Sequence, residues 1–313
     1  MIETYELSKY FDTFLAVENI SLKVDPGTVV AILGPNGAGK TTTVRMLTSI
    51  LRPSSGWAKL GGYDVVKQPA QVRASVGVLT EQHGLYERMT ALKYLDFFAK
   101  VYNLPPALRQ TRARELMERF GLGKAIDRRV GTFSKGMKQK LALVRSMLHD
   151  PPVLLLDEPT SAMDPQSAKQ VRDAIADLRR DQRTVMLTTH NLTEAQQLAD
   201  KIGVIRQGRI IAFGSFDELA EQFVGQALMR LQLSEPKAEA LAAELREGVE
   251  VREVGEDYLD FHSPHPAQTN PIVLRRALDL GYPVLSLSQR SRTLEEVYLK
   301  IVEEDESRVG VTR

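Results

Sequence analysis

The sequence predicts an α/β fold, a mainly parallel sheet with helices on both faces, followed by a smaller α+β unit. Three observations carry that expectation. Val29–Leu33 is a short apolar run rich in β-branched residues, and it leads into a glycine-rich turn and then into helical spacing. Residues 153–156 and 184–188 are two more apolar runs, each passing into a polar segment at its C-terminal end. Strand–loop–helix units in succession bury their strands on both faces, which favours parallel pairing. Beyond GSFDEL at 214–219 the character changes, and shorter alternating and helical segments follow one another.

Taken in order, 29–33 reads as a buried strand and 41–51 as the helix after it. RPSSG at 52–56 is turn chemistry. From about 83 to 150 the pattern is mostly helical: 92–101 and 109–120 carry apolar residues at helical spacing, divided by NLPPA at 103–107. This is a helical insert on the α/β core, and the first domain spans 1–221. In the second, 222–306, residues 227–233 alternate like a strand and 236–246 show an Ala/Glu/Leu helical pattern. Residues 249–254 and 258–262 suit a hairpin over a short turn. A helix over 270–280 with Pro271 near its start, a strand over 283–288 and a helix over 293–304 complete the unit. The order β-α-β-β-α-β plus a helix matches the ferredoxin-like pattern. Residues 307–313 are expected to form a disordered tail.

Composition narrows the functions open to such a fold. The 313 residues are 43% hydrophobic and 26% charged, ordinary values for a globular protein. Lys+Arg 41 against Asp+Glu 40 leaves a net charge of +1, so no strong field holds nucleic acid or an anionic surface, and no nucleic-acid partner is expected. The absence of cysteine excludes disulfides, thiol catalysis and thiolate-bound zinc. The opening MIETYELSKYFDTF has no basic stretch followed by an apolar run, so no secretory signal is expected there. Apolar stretches such as 29–33 and 151–156 fall far short of the about 20 residues that span a membrane. If the protein acts at a membrane, another chain must cross it.

The strongest chemical signal is Gly34-Pro35-Asn36-Gly37-Ala38-Gly39-Lys40-Thr41, which fits the phosphate-loop pattern GxxxxGK[ST]. Its glycines permit backbone angles that turn successive N–H groups into a nest for phosphate, and the helix after it adds its N-terminal partial charge. Lys40 would reach the β- and γ-phosphates, and the Thr41 hydroxyl would ligate Mg²⁺. The second signal is Val153-Leu154-Leu155-Leu156-Asp157-Glu158, an apolar strand delivering two carboxylates to the sheet edge where ligands bind in open α/β folds. Asp157 would hold Mg²⁺, and Glu158 would polarise the water that attacks the γ-phosphate. Together the two motifs indicate a phosphate-loop NTPase.

A third segment narrows the class. Thr132-Phe133-Ser134-Lys135-Gly136-Met137-Lys138-Gln139-Lys140, shortly before the acidic strand, resembles the LSGGQ-type signature of ABC transporter ATPases. Phe133 stands for the usual Leu, and Lys135-Gly136-Met137 for the common Gly-Gly-Gln. Lys135 would add charge near phosphate and Met137 would remove a polar contact. Ser134 suits the N-cap of the next helix. Further elements arrive in the family's order. Ser161-Ala162-Met163-Asp164 resembles the D-loop, although Asp164 also suits a cap on a helix begun by Pro165. His190 resembles the switch histidine that contacts the γ-phosphate. Phe11 or Tyr10 would stack on adenine, with Phe11 favoured by its distance from Ala16-Val17 and a core aromatic as the alternative. After Val76-Gly77-Val78-Leu79 the family has a Gln that senses Mg²⁺; here Glu81 fills that slot, with Gln82 beside it as the alternative.

The resemblance covers about 1–220, and the C-terminal segment ending Arg292-Thr293-Leu294-Glu295-Glu296-Val297-Tyr298 is similar to the daunorubicin-resistance type of exporter ATPase. It implies an ATP-hydrolysing subunit in which ATP meets residues 34–41 and Thr42 of one copy. Ser134, Lys135, Gly136 and Met137 of a second copy would close over it. It further implies ATP and Mg²⁺ as cofactors, a homodimer formed on ATP, a membrane-spanning permease as partner and a peripheral place on the cytoplasmic face of the membrane. Two rival readings are a soluble ABC ATPase acting on nucleic acid or the ribosome, and a regulatory module with dead sites. The first is disfavoured by the short stretch between Lys40 and Asp157, which leaves no room for a long coiled coil, and by the single cassette. The intact Lys40, Asp157, Glu158 and His190 disfavour the second.

Overall fold

The chain opens on two long antiparallel strands, β1 (Ile2–Phe11) and β2 (Phe14–Val24), then β3 (Val29–Leu33) and α1 (Lys40–Leu47). The computed structural model describes residues 1–80, 84–161, 163–180, 182–225, 228–246, 248–263 and 265–310. After α1 come β4 (Ser55–Leu60), β5 (Tyr63–Asp64), α2 (Pro69–Ser75) and β6 (Val76–Leu79). Three helices follow, α3 (Ala91–Val101), α4 (Pro106–Arg119) and α5 (Lys135–Met147). The chain then runs through β7 (Val153–Asp157), α6 (Pro165–Arg180), β8 (Thr184–Thr189), α7 (Leu192–Leu198), β9 (Lys201–Arg206) and β10 (Arg209–Gly214).

Six of these strands form one sheet in the order β10-β9-β3-β8-β7-β6, parallel throughout except for the β9–β10 hairpin. Every residue of β3, β7 and β8 is buried, as strands covered on both faces must be. The mainly parallel core matches the expectation from sequence, and α3, α4 and α5 lie between β6 and β7. A second sheet, β2-β1-β4-β5, is wholly antiparallel and was not anticipated. Its strands are interrupted by register shifts, and Glu6 and Asn19 take φ of 46° and 49°. Such bulges break the two-residue period by which a half-buried strand is recognised. Apolar residues of this sheet, such as Ile20 and Leu60, join Val44 and Leu47 of α1 and Val30, Ile32 and Leu155 of the parallel sheet in one core.

Some boundaries moved for local reasons. The first helix stops at Leu47, not near 51, because Ser49 turns to φ 59° and the N–H groups of Ile50 and Leu51 both donate back to Arg45 O at 3.0 Å. The helix expected from 109 starts at Pro106, where a proline's missing N–H is harmless.

The chain divides into two compact units, Met1–Phe216 and Asp217–Arg313, the division falling at the start of α8 (Phe216–Phe223). The second unit continues with β11 (Leu228–Leu233), α9 (Ala238–Leu245), β12 (Glu250–Val254), β13 (Tyr258–His262), α10 (Pro266–Asp279), β14 (Val284–Gln289) and α11 (Leu294–Gly310). Its sheet is antiparallel, ordered β12-β13-β11-β14. Leu231, Leu259 and Phe261 meet Leu241, Val273 and Ala277 of the helices in a separate core. Here α10 starts at Pro266, so Pro271 lies inside the helix and not near its beginning. The last helix extends to Gly310, into the segment read as a tail; residues 311–313 lie outside the described residues. Among the described residues no helix is long and apolar enough to cross a membrane.

Candidate functional site

The site is built where β3 hands the chain to α1. Gly34 packs so closely on the neighbouring strand that a Cβ there would lie 2.3 Å from Ile205 O. Gly39 caps α1 with φ 104°, a conformation that side chains rarely adopt. The turn between them is held by Ala38 N donating to Pro35 O at 3.3 Å, and Asn36 and Gly37 line the cleft above it. Lys40 is buried at 7% exposure, and its Nζ donates to Gly34 O at 2.6 Å and Pro35 O at 3.2 Å. Burial pushes this amine below the ordinary lysine range, with Glu158 and then Asp157 pulling it back.

The acidic pair reaches the same place from the next strand but one. Asp157 ends β7 in register with Thr188 of β8, whose hydroxyl donates to Asp157 Oδ1. Its other oxygen, Oδ2, accepts from Thr41 Oγ1 at 3.0 Å. Glu158 then turns to φ 51°, a left-handed conformation costing a non-glycine residue about 1–3 kcal/mol, of the kind that gathers at functional sites. That turn sets Glu158 Oε1 3.8 Å from Lys40 Nζ and 2.9 Å from His190 Nδ1. His190 follows β8 directly and is 61% exposed along its side chain, facing solvent across the cleft.

These groups surround a cavity of about 510 Å³, with Thr42 and Ser161 also in its wall. Phe11 closes one end and is 44% exposed, with Lys9 Nζ 5.3 Å above its ring. Phe14, its cross-strand partner in the β1–β2 hairpin, lies there too and was missed. Two phenylalanines flanking the turn at Asp12-Thr13 were the available signal. Tyr10, the alternative, does not line the cavity.

The signature segment lies outside this cavity. Ser134 caps α5, accepting from Met137 N at 3.3 Å, and Lys135 and Gly136 occupy the first helical positions. Asp164 caps α6, accepting from Ser167 N at 2.9 Å. Gln139, part of the signature segment but given no role from sequence, ties α5 to the acidic loop: buried, it donates to Glu158 O at 3.2 Å and Pro159 O at 3.0 Å. Glu81 and Gln82 lie outside the described residues.

A magnesium ion takes one or two protein oxygens and completes its shell with water and phosphate. The Thr41 hydroxyl and Asp157 carboxylate are such a pair of hard oxygen donors, and no larger protein cage is required. Among the described residues no group of three acidic, histidine or cysteine side chains forms one. The glycine turn, buried lysine and acidic strand end make this a phosphate-loop nucleotide hydrolase in class.

Comparison with known proteins makes the class specific. The family model described as ABC transporter matches residues 17–161. The ABC transporter ATP-binding protein NatA of Bacillus subtilis (strain 168) is 44% identical over 207 residues, covering 66% of this chain and 84% of that one. The daunorubicin resistance ATP-binding protein DrrA3 of Streptomyces coeruleorubidus is 36% identical over 291 residues, covering 93% and 92%. A solved ATP-binding subunit of an ABC transporter superimposes with a TM-score of 0.67 at 30% identity, over 72% of this chain and 94% of that one. The chain belongs to the ATP-binding proteins of ABC transporters, and is an ATPase subunit of that family.

Proposed function

We propose that this chain is the motor of an exporter, closing on ATP as a homodimer beneath a separate membrane-spanning permease. The observation that carries this reading is the convergence of Lys40, Thr41–Asp157 and Glu158–His190 on one cleft. Lys40, freed from the carbonyls of Gly34 and Pro35, would bind the β- and γ-phosphates, which lie against the N–H groups of 34–41. Phe11, with Phe14, would cover the adenine. Thr41 and Asp157 would hold Mg²⁺, which when bound draws charge from the phosphate oxygens. Glu158 would accept the proton of the attacking water, and His190, donating through Nδ1, would hold that carboxylate in place.

Ser134 and Lys135 at the start of the helix are exposed and Gly136 and Met137 half-buried in the single chain, which leaves this helix start free to meet a phosphate held by a second copy. Asp164 would sit at the same dimer contact as the D-loop, and Glu81 or Gln82 would sense Mg²⁺ and the permease. Export is supported by the resistance role in the name of the Streptomyces coeruleorubidus relative. The permease would hold the motor peripherally at the cytoplasmic face. The second domain, 222–306, is read as ferredoxin-like from its β-α-β-β-α-β order and its strand order.

ATP binding and phosphate release by the purified chain test the assignment. Glu158→Gln keeps ATP affinity and loses at least about 100-fold in turnover. Turnover at the unaltered rate contradicts the role given to Glu158.

A further inference from the structure

Glu194 is a carboxylate that the reading above does not use. It is 2% exposed, and burial raises it above the ordinary range. It stands at the third position of α7, where Asn191 caps the helix by accepting from Glu194 N at 3.0 Å. A glutamate there commonly bends back to the cap's own N–H. Here that N–H donates instead to Thr189 Oγ1 at 3.0 Å, which releases the carboxylate for another task.

Its two oxygens are divided between two loops. Glu194 Oε1 accepts from Thr160 Oγ1 at 2.6 Å, and Oε2 accepts from Thr189 Oγ1 at 2.6 Å. Thr160 lies two residues past Glu158 and next to Ser161 in the cleft wall. Thr189 immediately precedes His190. The Glu158 carboxylate raises Glu194 further, and the positive charge of Arg172 opposes that with a smaller effect. A buried carboxyl group with two short hydroxyl bonds is firmly held, because leaving either oxygen unpaired is costly.

We infer that Glu194 is a positioning residue for hydrolysis: by clamping Thr160 to Thr189 it sets the spacing between the loop bearing Glu158 and the loop bearing His190. This rests on the roles proposed for that pair. Gln at 194 keeps the shape but replaces one carboxylate acceptor with an amide donor, so one hydroxyl bond survives only with its direction reversed and neither is charge-assisted. The clamp then weakens, while Lys40 keeps its own bonds to Gly34 O and Pro35 O in the nucleotide cradle. Misplacement of a reacting pair lowers kcat steeply without weakening substrate binding.

The experiment compares kcat, KM for ATP and thermal midpoint for the full chain and for Glu194→Gln, Thr160→Val, His190→Ala and the Glu194→Gln/His190→Ala double variant. Both Glu194→Gln and Thr160→Val lower kcat about tenfold with KM unchanged, while the midpoint falls by no more than leaves the chain folded at the assay temperature. The double variant is no slower than His190→Ala alone, because the clamp acts through that pair. Losses that multiply, or a fall in midpoint with kcat retained, overturn the inference and leave Glu194 as a packing residue. Thr160→Val is half-buried and carries the test should the buried substitution not fold; unaltered turnover in it overturns the clamp. His190→Ala at the full rate overturns instead the role given to His190.

Discussion

Gly34 shows how one residue joins the sheet to the phosphate loop. An alanine there puts a Cβ 2.3 Å from the Ile205 carbonyl oxygen, a backbone atom that cannot swing aside. Either β3 or β9 must shift, and overpacking of this kind costs about 1–3 kcal/mol. Gly34→Ala therefore lowers the urea midpoint of the first unit and weakens ATP binding, measured by denaturation and by nucleotide titration. Unchanged stability would mean the strands part more easily than their packing suggests. The residues at this centre were legible because glycine, lysine and paired carboxylates stand at fixed distances along the chain. Gln139 and Glu194 were not, because each reaches a partner remote in sequence, Gln139 on the acidic loop and Glu194 at Thr160; Phe14 did carry a signal, the pair of phenylalanines about one tight turn.

Elements were legible where their burial was uniform. β3, β7 and β8 are buried throughout, so a plain apolar run announces them. β1 and β2 alternate irregularly around Glu6 and Asn19 and escape any periodic template. In α10 the error came from proline. Pro271 suggests a helix start, yet Pro266 already occupies that place, so the second proline sits inside the helix. There its ring meets the carbonyl four residues back and one hydrogen bond is lost. Pro271→Ala stabilises the second unit by about 1–3 kcal/mol, read as a rise in thermal midpoint. A fall would show that the helix relies on the proline's fixed backbone angle.

At the scale of the whole molecule, each unit carries a core of its own, and the first holds every residue of the nucleotide cleft. A single chain offers the phosphates one wall: the glycine turn, Lys40, and the Glu158–His190 pair. The capped start of α5 has no place in that wall, and its Ser134 is exposed. A second copy, turned head to tail, would bring that helix start to the open side of the cleft, where its partial positive charge faces the γ-phosphate. The claim is most directly tested by light scattering on Glu158→Gln, which traps ATP unhydrolysed. With Mg²⁺ and ATP the account predicts a species of twice the chain's mass, reverting to one chain when Ser134→Glu is added to repel the phosphate. A Glu158→Gln protein that binds ATP yet stays a single chain would contradict it.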